Sequence, residues 1–206
     1  MYTSIIYDVD GTLIDTEHAV LGSLQKMLSL DYGIEMDTQD LRFVLGIPGA
    51  VALPRLGIIN IEEANDRWNR YMKDFYSTMS VFDGISQVLK TLSQRDFKQG
   101  IVTSKTGEEL RDDFIPFGLM EYLPYKVCAE DTEQHKPNPE PLLKYLEISG
   151  SDPKSSIYIG DTIYDCECAR DAGVDFALAL WGCNNHESIP AKYKLVRPES
   201  LLELLV

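Results

Sequence analysis

The sequence predicts an α/β protein, a doubly wound parallel sheet interrupted by an all-helical insert, and three observations carry that prediction. Five apolar runs of strand length recur along the chain: Thr3 to Tyr7, Gly100 to Val102, Tyr125 to Ala129, Ser156 to Ile159 and Asp175 to Leu180. Runs apolar on both faces suit strands covered by helices on either side, as in a parallel sheet. Helical patterns fill the intervals at Ile85 to Leu92, Glu108 to Ile115, Pro139 to Ile148 and Thr162 to Ala172. Strand and helix in alternation give a doubly wound sheet. The stretch from Glu17 to Met79 does not alternate. It shows helical periodicity alone (Val20, Leu21, Leu24, Met27, Leu28; Ala64, Trp68, Tyr71, Met72, Phe75), broken by Gly33, Gly46, Pro48, Gly49 and Gly57. The expected division is therefore a core of residues 1–15 and 83–206 and an insert of residues 16–82.

Boundary signals agree with these elements. Thr106 with Glu109 makes a capping box, Asn138 before Pro139 is an N-cap followed by a proline in the first helical position, and Gly173 closes the helix that ends at Ala172.

A chain of 206 residues and 23.3 kDa has room for one core domain with a smaller insertion. Charged residues at 25% and hydrophobic residues at 44% indicate a packed globular protein. The formal charge of -14, from 19 Lys+Arg against 33 Asp+Glu, repels polyanions, so neither nucleic acid nor an anionic membrane surface is an expected partner. No run approaches the length of a membrane span, and the N-terminus lacks the basic and apolar sequence of a secretory signal. Cys128, Cys166, Cys168 and Cys183 lack zinc-site spacing and read as free thiols of a cytoplasmic protein.

Four segments hold the residues that could carry chemistry. Asp8-Val9-Asp10-Gly11-Thr12 directly follows the first strand, the place where open α/β sheets bind ligands. Two acids this close imply either a cation or a shared proton between them, and Gly11 permits the tight turn that turns peptide N–H groups toward an anion. Thr103-Ser104-Lys105 follows the second strand and offers hydroxyls to a phosphoryl oxygen, although for such a residue taken alone helix capping is the better explanation. Lys136 lies in the proline-stiffened His135-Lys136-Pro137-Asn138-Pro139, where its charge could balance phosphate and clustered carboxylates. Asp161 and Asp165 follow the strand ending at Ile159; Asp161 could be an N-cap or offer oxygen to a hard cation, and Asp165 could simply favour the helix N-terminus or brace the site from the next turn.

In that order and context the four segments closely resemble the haloacid dehalogenase-like hydrolases, in the subgroup with a helical cap that includes phosphoglycolate phosphatase and β-phosphoglucomutase. The resemblance covers the whole core and implies a Rossmann-like catalytic domain, with the insert as its cap. It implies Asp8 as the nucleophile that forms an aspartyl-phosphate and Asp10 as the acid that protonates the leaving oxygen and then activates water. Thr103 and Lys136 match the phosphate-binding hydroxyl and the neutralising lysine, with Gly11, Thr12 and Ser104 as further phosphate contacts. Mg2+ is the implied cofactor, held by Asp8, the backbone carbonyl of Asp10, and Asp161, with Asp165 in direct or water-mediated support.

The implied activity is hydrolysis of a small phosphate monoester by a monomer or homodimer, phosphoglycolate first among substrates. A phosphomutase of the β-phosphoglucomutase type is the alternative that intact Asp10 does not separate. A dehalogenase would not use Asp10, and a phosphonatase would need a lysine from the insert, where Lys26 and Lys73 are available. A non-catalytic phosphometabolite-binding protein is disfavoured by the complete residue set. Tyr7, Ser104, Glu167 and Cys168 depart from the usual pattern, and none removes a catalytic group. Leu45 to Val51, apolar and turn-rich, is a candidate substrate-contacting loop or ordinary packing between helices.

Overall fold

A computed structural model describes residues 2–183 and 185–205. It divides into two compact units, Met1–Ile14 with Val81–Val206, and Asp15–Ser80.

The larger unit is built on a six-stranded parallel sheet. Its strands are β1 (Ser4–Tyr7), β4 (Lys98–Val102), β5 (Tyr125–Val127), β6 (Ser156–Gly160), β7 (Asp175–Ala179) and β8 (Tyr193–Leu195), in the order β5-β4-β1-β6-β7-β8. β2 (Ile14–Asp15) and β3 (Ser80–Val81) form a separate two-stranded sheet. All four residues of β1 are buried, as the apolar run requires of a central strand.

Side chains leave β1 alternately. Ile5 and Tyr7 join one hydrophobic cluster with Ile101, Ile157 and Ile159, while Ile6 joins a second with Val102, Tyr158 and Phe176. Helices α5 (Ile85–Ser93) and α9 (Ser200–Leu204) complete the first cluster; α7 (Glu140–Ser149) and α8 (Ile163–Ala172) complete the second.

The chain lays β4 and β5 on one side of β1 and then crosses to lay β6, β7 and β8 on the other. That reversal beside β1 makes a topological switch point, and crevices form there at the carboxyl ends of the strands. Tyr7 is in register with Ile101 on β4 and with Ile159 on β6, so the next residues out of the three strands emerge together.

The smaller unit is helical: α1 (Glu17–Tyr32), α2 (Thr38–Leu41), α3 (Gly49–Arg55) and α4 (Ile61–Met72), followed by a 3-10 segment Lys73–Thr78. α1 buries Leu21, Leu24, Met27 and Leu28 and packs on α4, which buries Ala64, Trp68 and Met72. Trp68 donates its indole N–H to Ser23 Oγ at 2.9 Å inside this interface.

Several sequence expectations need adjusting. The helix expected over Glu108 to Ile115 is a short α6 (Gly107–Glu109) that widens into a π-turn over Leu110–Phe114 and tightens to 3-10 at Ile115–Phe117. The capping box of Thr106 and Glu109 is present. α7 begins at Glu140, one residue after Pro139, and Asn138 Oδ1 accepts the Glu140 N–H at 2.9 Å. β5 stops at Val127 because the Asp131 carboxylate takes the Cys128 N–H and turns the chain. β8 and α9 are too short to leave a clear periodic signal in the sequence. All four cysteines are free thiols. Among the described residues no helix is long and apolar enough to cross a membrane.

Candidate active site

The strands deliver their next residues to one point. Asp8 continues β1 and its N–H still reaches Ile159 O at 2.9 Å; Thr103 continues β4 with its N–H on Val127 O at 3.0 Å. Asp161 follows β6, and α8 then carries Asp165 back over the strand end. Carboxylate oxygens of Asp8, Asp161 and Asp165 lie within 4.8 Å of one another.

Lys136 is the cation of this group. Its Nζ lies 3.0 Å from Asp8 Oδ1, 2.7 Å from Asp165 Oδ1 and 3.2 Å from the Tyr158 hydroxyl, with the side chain almost wholly buried. Tyr158 stands under the cluster and lies within hydrogen-bond distance of Val102 O and Asp165 Oδ1. The other Asp165 oxygen receives the Thr162 N–H at 3.0 Å, and the Thr162 hydroxyl receives the Asp165 N–H in return. This reciprocal pair makes Thr162, rather than Asp161, the N-cap of α8, which leaves Asp161 available to the site.

Burial sets the electrostatics. Asp8 is 2% exposed, and its carboxyl is pushed up to about 7, chiefly by loss of water, with the Asp165 and Asp10 charges adding to the rise and Lys136 opposing it. Asp161 is held well above the ordinary range by burial and by the Asp165 and Asp8 charges. Burial opposes the charge on Lys136, yet Asp165 and Asp8 more than offset it and its ammonium is raised above the usual value. Three crowded carboxylates against one ammonium leave excess negative charge in a dry place. A divalent cation with a preference for oxygen fits that donor set. Asp165 already accepts from Lys136, Tyr158 and Thr162, whereas Asp161 receives the Thr12 hydroxyl at 3.1 Å.

The turn after β1 is shaped by close approach. Gly11 has φ 74°, and a Cβ there would strike the Asp161 carboxylate. A Cβ at Gly182 would strike the backbone carbonyl of Gly11, and the neighbouring Trp181 donates its indole N–H to Thr12 O at 2.9 Å. Gly11 and Thr12 are thus fixed from below by a loop far away in sequence.

The Asp10 side chain is not one of the three grouped carboxylates. Its Oδ1 lies 3.0 Å from Lys105 Nζ, which also meets Asp113 Oδ2 at 2.7 Å. The Thr103 hydroxyl accepts the Lys105 N–H at 3.1 Å, and Ser104 is half-buried in the same turn. Lys105, Asp113, Tyr158, Trp181 and Gly182 were not foreseen as site residues. In the sequence Lys105 is only the neighbour of two hydroxyl residues, and Tyr158 is a strand residue. Nothing local marks Asp113 or Gly182.

The family model described as haloacid dehalogenase-like hydrolase matches residues 5–179. The chain belongs to the haloacid dehalogenase-like hydrolases. The hydrolase is 30% identical over 205 residues to a phosphoglycolate phosphatase of Aquifex aeolicus, covering 98% of this chain and 95% of that protein. It is 29% identical over 187 residues to the pyrophosphatase PpaX of Halalkalibacterium halodurans, covering 90% and 87%. A solved structure from Lactobacillus plantarum shares its fold at a TM-score of 0.91, with 28% identity over 99% of both chains. The family and fold read from the four ordered segments are those the comparisons return.

Proposed function

We propose that the protein is a Mg2+-dependent phosphatase that hydrolyses a small phosphate monoester, with Asp8 as its nucleophile. The observation that carries this reading is the placement of Asp8: buried at the end of the central strand, on the ammonium of Lys136, and grouped with Asp161 and Asp165. Such a carboxylate is aligned by its neighbours and shielded from water, the condition for in-line attack on phosphorus.

In this reading an Asp8 oxygen attacks the phosphorus and the ester oxygen departs, taking a proton from Asp10. Asp10 then removes a proton from water, which attacks the aspartyl-phosphate and releases inorganic phosphate and free Asp8. Lys136 and the Thr103 hydroxyl face the charge on the phosphoryl oxygens, and the Gly11-Thr12 turn and Ser104 supply further donors. Asp8, Asp161 and the Asp10 carbonyl would hold Mg2+, with Asp165 in support, and the ion would supply positive charge that lets an anionic carboxylate meet a phosphate dianion.

Phosphoglycolate is the leading substrate, from the Aquifex aeolicus relative; pyrophosphate, an anhydride open to the same attack on phosphorus, is the second, from the relatives named pyrophosphatase. A cytoplasmic monomer or homodimer completes the proposal. The test is phosphate release from a panel of phosphoglycolate, pyrophosphate, sugar phosphates and nucleotides, with Mg2+ or with chelator. Expected is release from at least one compound, Mg2+-dependent and lost in Asp8→Asn. Release that survives Asp8→Asn, or none from any compound, rejects the reading.

A further inference from the structure

Outside the Asp8 cluster the larger unit holds a second buried charge group. Lys105 is 8% exposed and Asp113 6%, and Asp113 Oδ1 has no hydrogen-bond partner among the described residues. A buried ion pair with an unsatisfied oxygen is a poor device for stability, since apolar side chains of the same size serve as well or better. Its geometry points to another use. The ammonium that Asp113 holds at 2.7 Å also reaches Asp10 at 3.0 Å, and the Asp10 side chain is a quarter exposed at the site. Asp113 lies in the π-turn of Leu110–Phe114, a local departure from α geometry of the kind found at functional sites.

We infer that Lys105 and Asp113 form a positioning pair that sets the direction of the Asp10 carboxyl group toward the leaving oxygen. The inference rests on the Proposed function and adds to it the means by which Asp10 is aimed. Lys105 reaches the site from the residue two after Thr103, so the phosphate-binding turn and the aim of Asp10 are tied to one backbone segment. Its own N–H, bonded to Thr103 Oγ1, completes that tie. Asp113 takes the shorter contact, so the ammonium arrives at Asp10 with its charge already matched. What it gives Asp10 is orientation.

A proton donor matters in proportion to how poor the leaving group is. An alkoxide needs its proton as the P–O bond breaks, whereas p-nitrophenolate leaves without one. The test compares kcat/KM for phosphoglycolate and p-nitrophenyl phosphate in the wild type and in the double variant Lys105→Met, Asp113→Leu, which removes both buried charges and strands neither. Expected is a loss of roughly 10²-fold on phosphoglycolate with a loss of no more than about threefold on p-nitrophenyl phosphate, whose leaving group asks nothing of Asp10. The single variant Asp113→Asn shows the same split with a smaller amplitude. Equal losses on the two esters, or none on either, overturn the positioning role while leaving the phosphatase reading intact. A wild type inactive on p-nitrophenyl phosphate and on every compound of the panel overturns the two readings together.

Discussion

Lys136 Nζ and Asp165 Oδ1 lie 2.7 Å apart with side-chain exposures of 1% and 0%. Both charges have left water, and the ammonium also serves Asp8, so one cation balances two buried carboxylates. Removing it strands both of them. Lys136→Met is expected to abolish activity and to lower unfolding stability by about 3–5 kcal/mol, the usual cost of breaking a buried pair. Lys136→Arg also fails, because a planar fork cannot occupy the place of a compact ammonium beside Tyr158. Urea unfolding followed by circular dichroism measures the first effect; a loss under about 1 kcal/mol would contradict the buried-pair account.

The raised carboxyls make the metal-free protein pH-sensitive in a defined direction. Asp8 is pushed to about 7 and Asp113 to about 6, and Asp161 is raised as well, by burial in each case. A carboxyl with higher proton affinity in the folded chain binds more protons folded than unfolded. Stability then falls as pH rises from the ordinary carboxylate value toward 7, and it levels off above. Asp8 alone contributes roughly 2–4 kcal/mol to that fall. In chelator, wild type is expected to lose more stability than Asp8→Asn between pH 5 and 7.5. Mg2+, which competes with protons for the same oxygens, raises the melting temperature more at pH 7.5 than at pH 5. Equal slopes for the two proteins would refute this assignment.

Gly182 offers a separation of activity from stability. A Cβ there meets the Gly11 carbonyl, a backbone atom that cannot swing aside as a side-chain end could. Gly182→Ala must move the turn that carries Asp10 and Thr12. Displacement near 1 Å at reacting groups costs on the order of 10²-fold in rate, and the core strands are untouched. Steady-state kinetics beside thermal unfolding checks this: kcat is expected to drop while the melting temperature shifts by only a few degrees. Wild-type kcat in Gly182→Ala would show that the loop tolerates the methyl group.

These contacts explain which parts of the molecule were legible in the sequence. β1, β4, β6 and β7 announce themselves because a strand buried on both faces must be apolar throughout, and their ends locate Asp8, Thr103 and Asp161. The Thr106–Glu109 and Thr162–Asp165 boxes differ in legibility only by chemistry, since glutamate at the third position is a familiar partner and aspartate a less common one. Asp113 was unreadable for a different reason. It follows Asp112 in an acidic amphipathic stretch, and only the widened π-turn and the fold of Lys105 toward it distinguish the buried acid from its neighbour. Gly182 shapes a turn 171 residues away in sequence, a relation no local pattern records.

The helical unit has its own buried polar contact, and it yields the last prediction. Trp68 is 7% exposed and Ser23 is fully buried; the indole N–H donates to Ser23 Oγ at 2.9 Å, and that hydroxyl donates to Val20 O at 3.1 Å. α1 and α4 are thereby registered inside an interface whose rim also carries the Tyr71–Asp31 hydrogen bond and the Arg67–Asp31 ion pair. Ser23→Ala leaves the indole N–H without its acceptor and is expected to cost about 1–3 kcal/mol. Trp68→Phe removes the donor and leaves a gap where the second ring stood, at a comparable or larger cost. Because the two residues share one bond, the double variant loses less than the two single losses combined, a coupling that a double-mutant cycle isolates. Urea unfolding gives the cycle, and indole N–H exchange by NMR reads the bond directly, faster in Ser23→Ala than in wild type. Strict additivity with unchanged exchange would mean that the hydroxyl and the indole merely lie side by side.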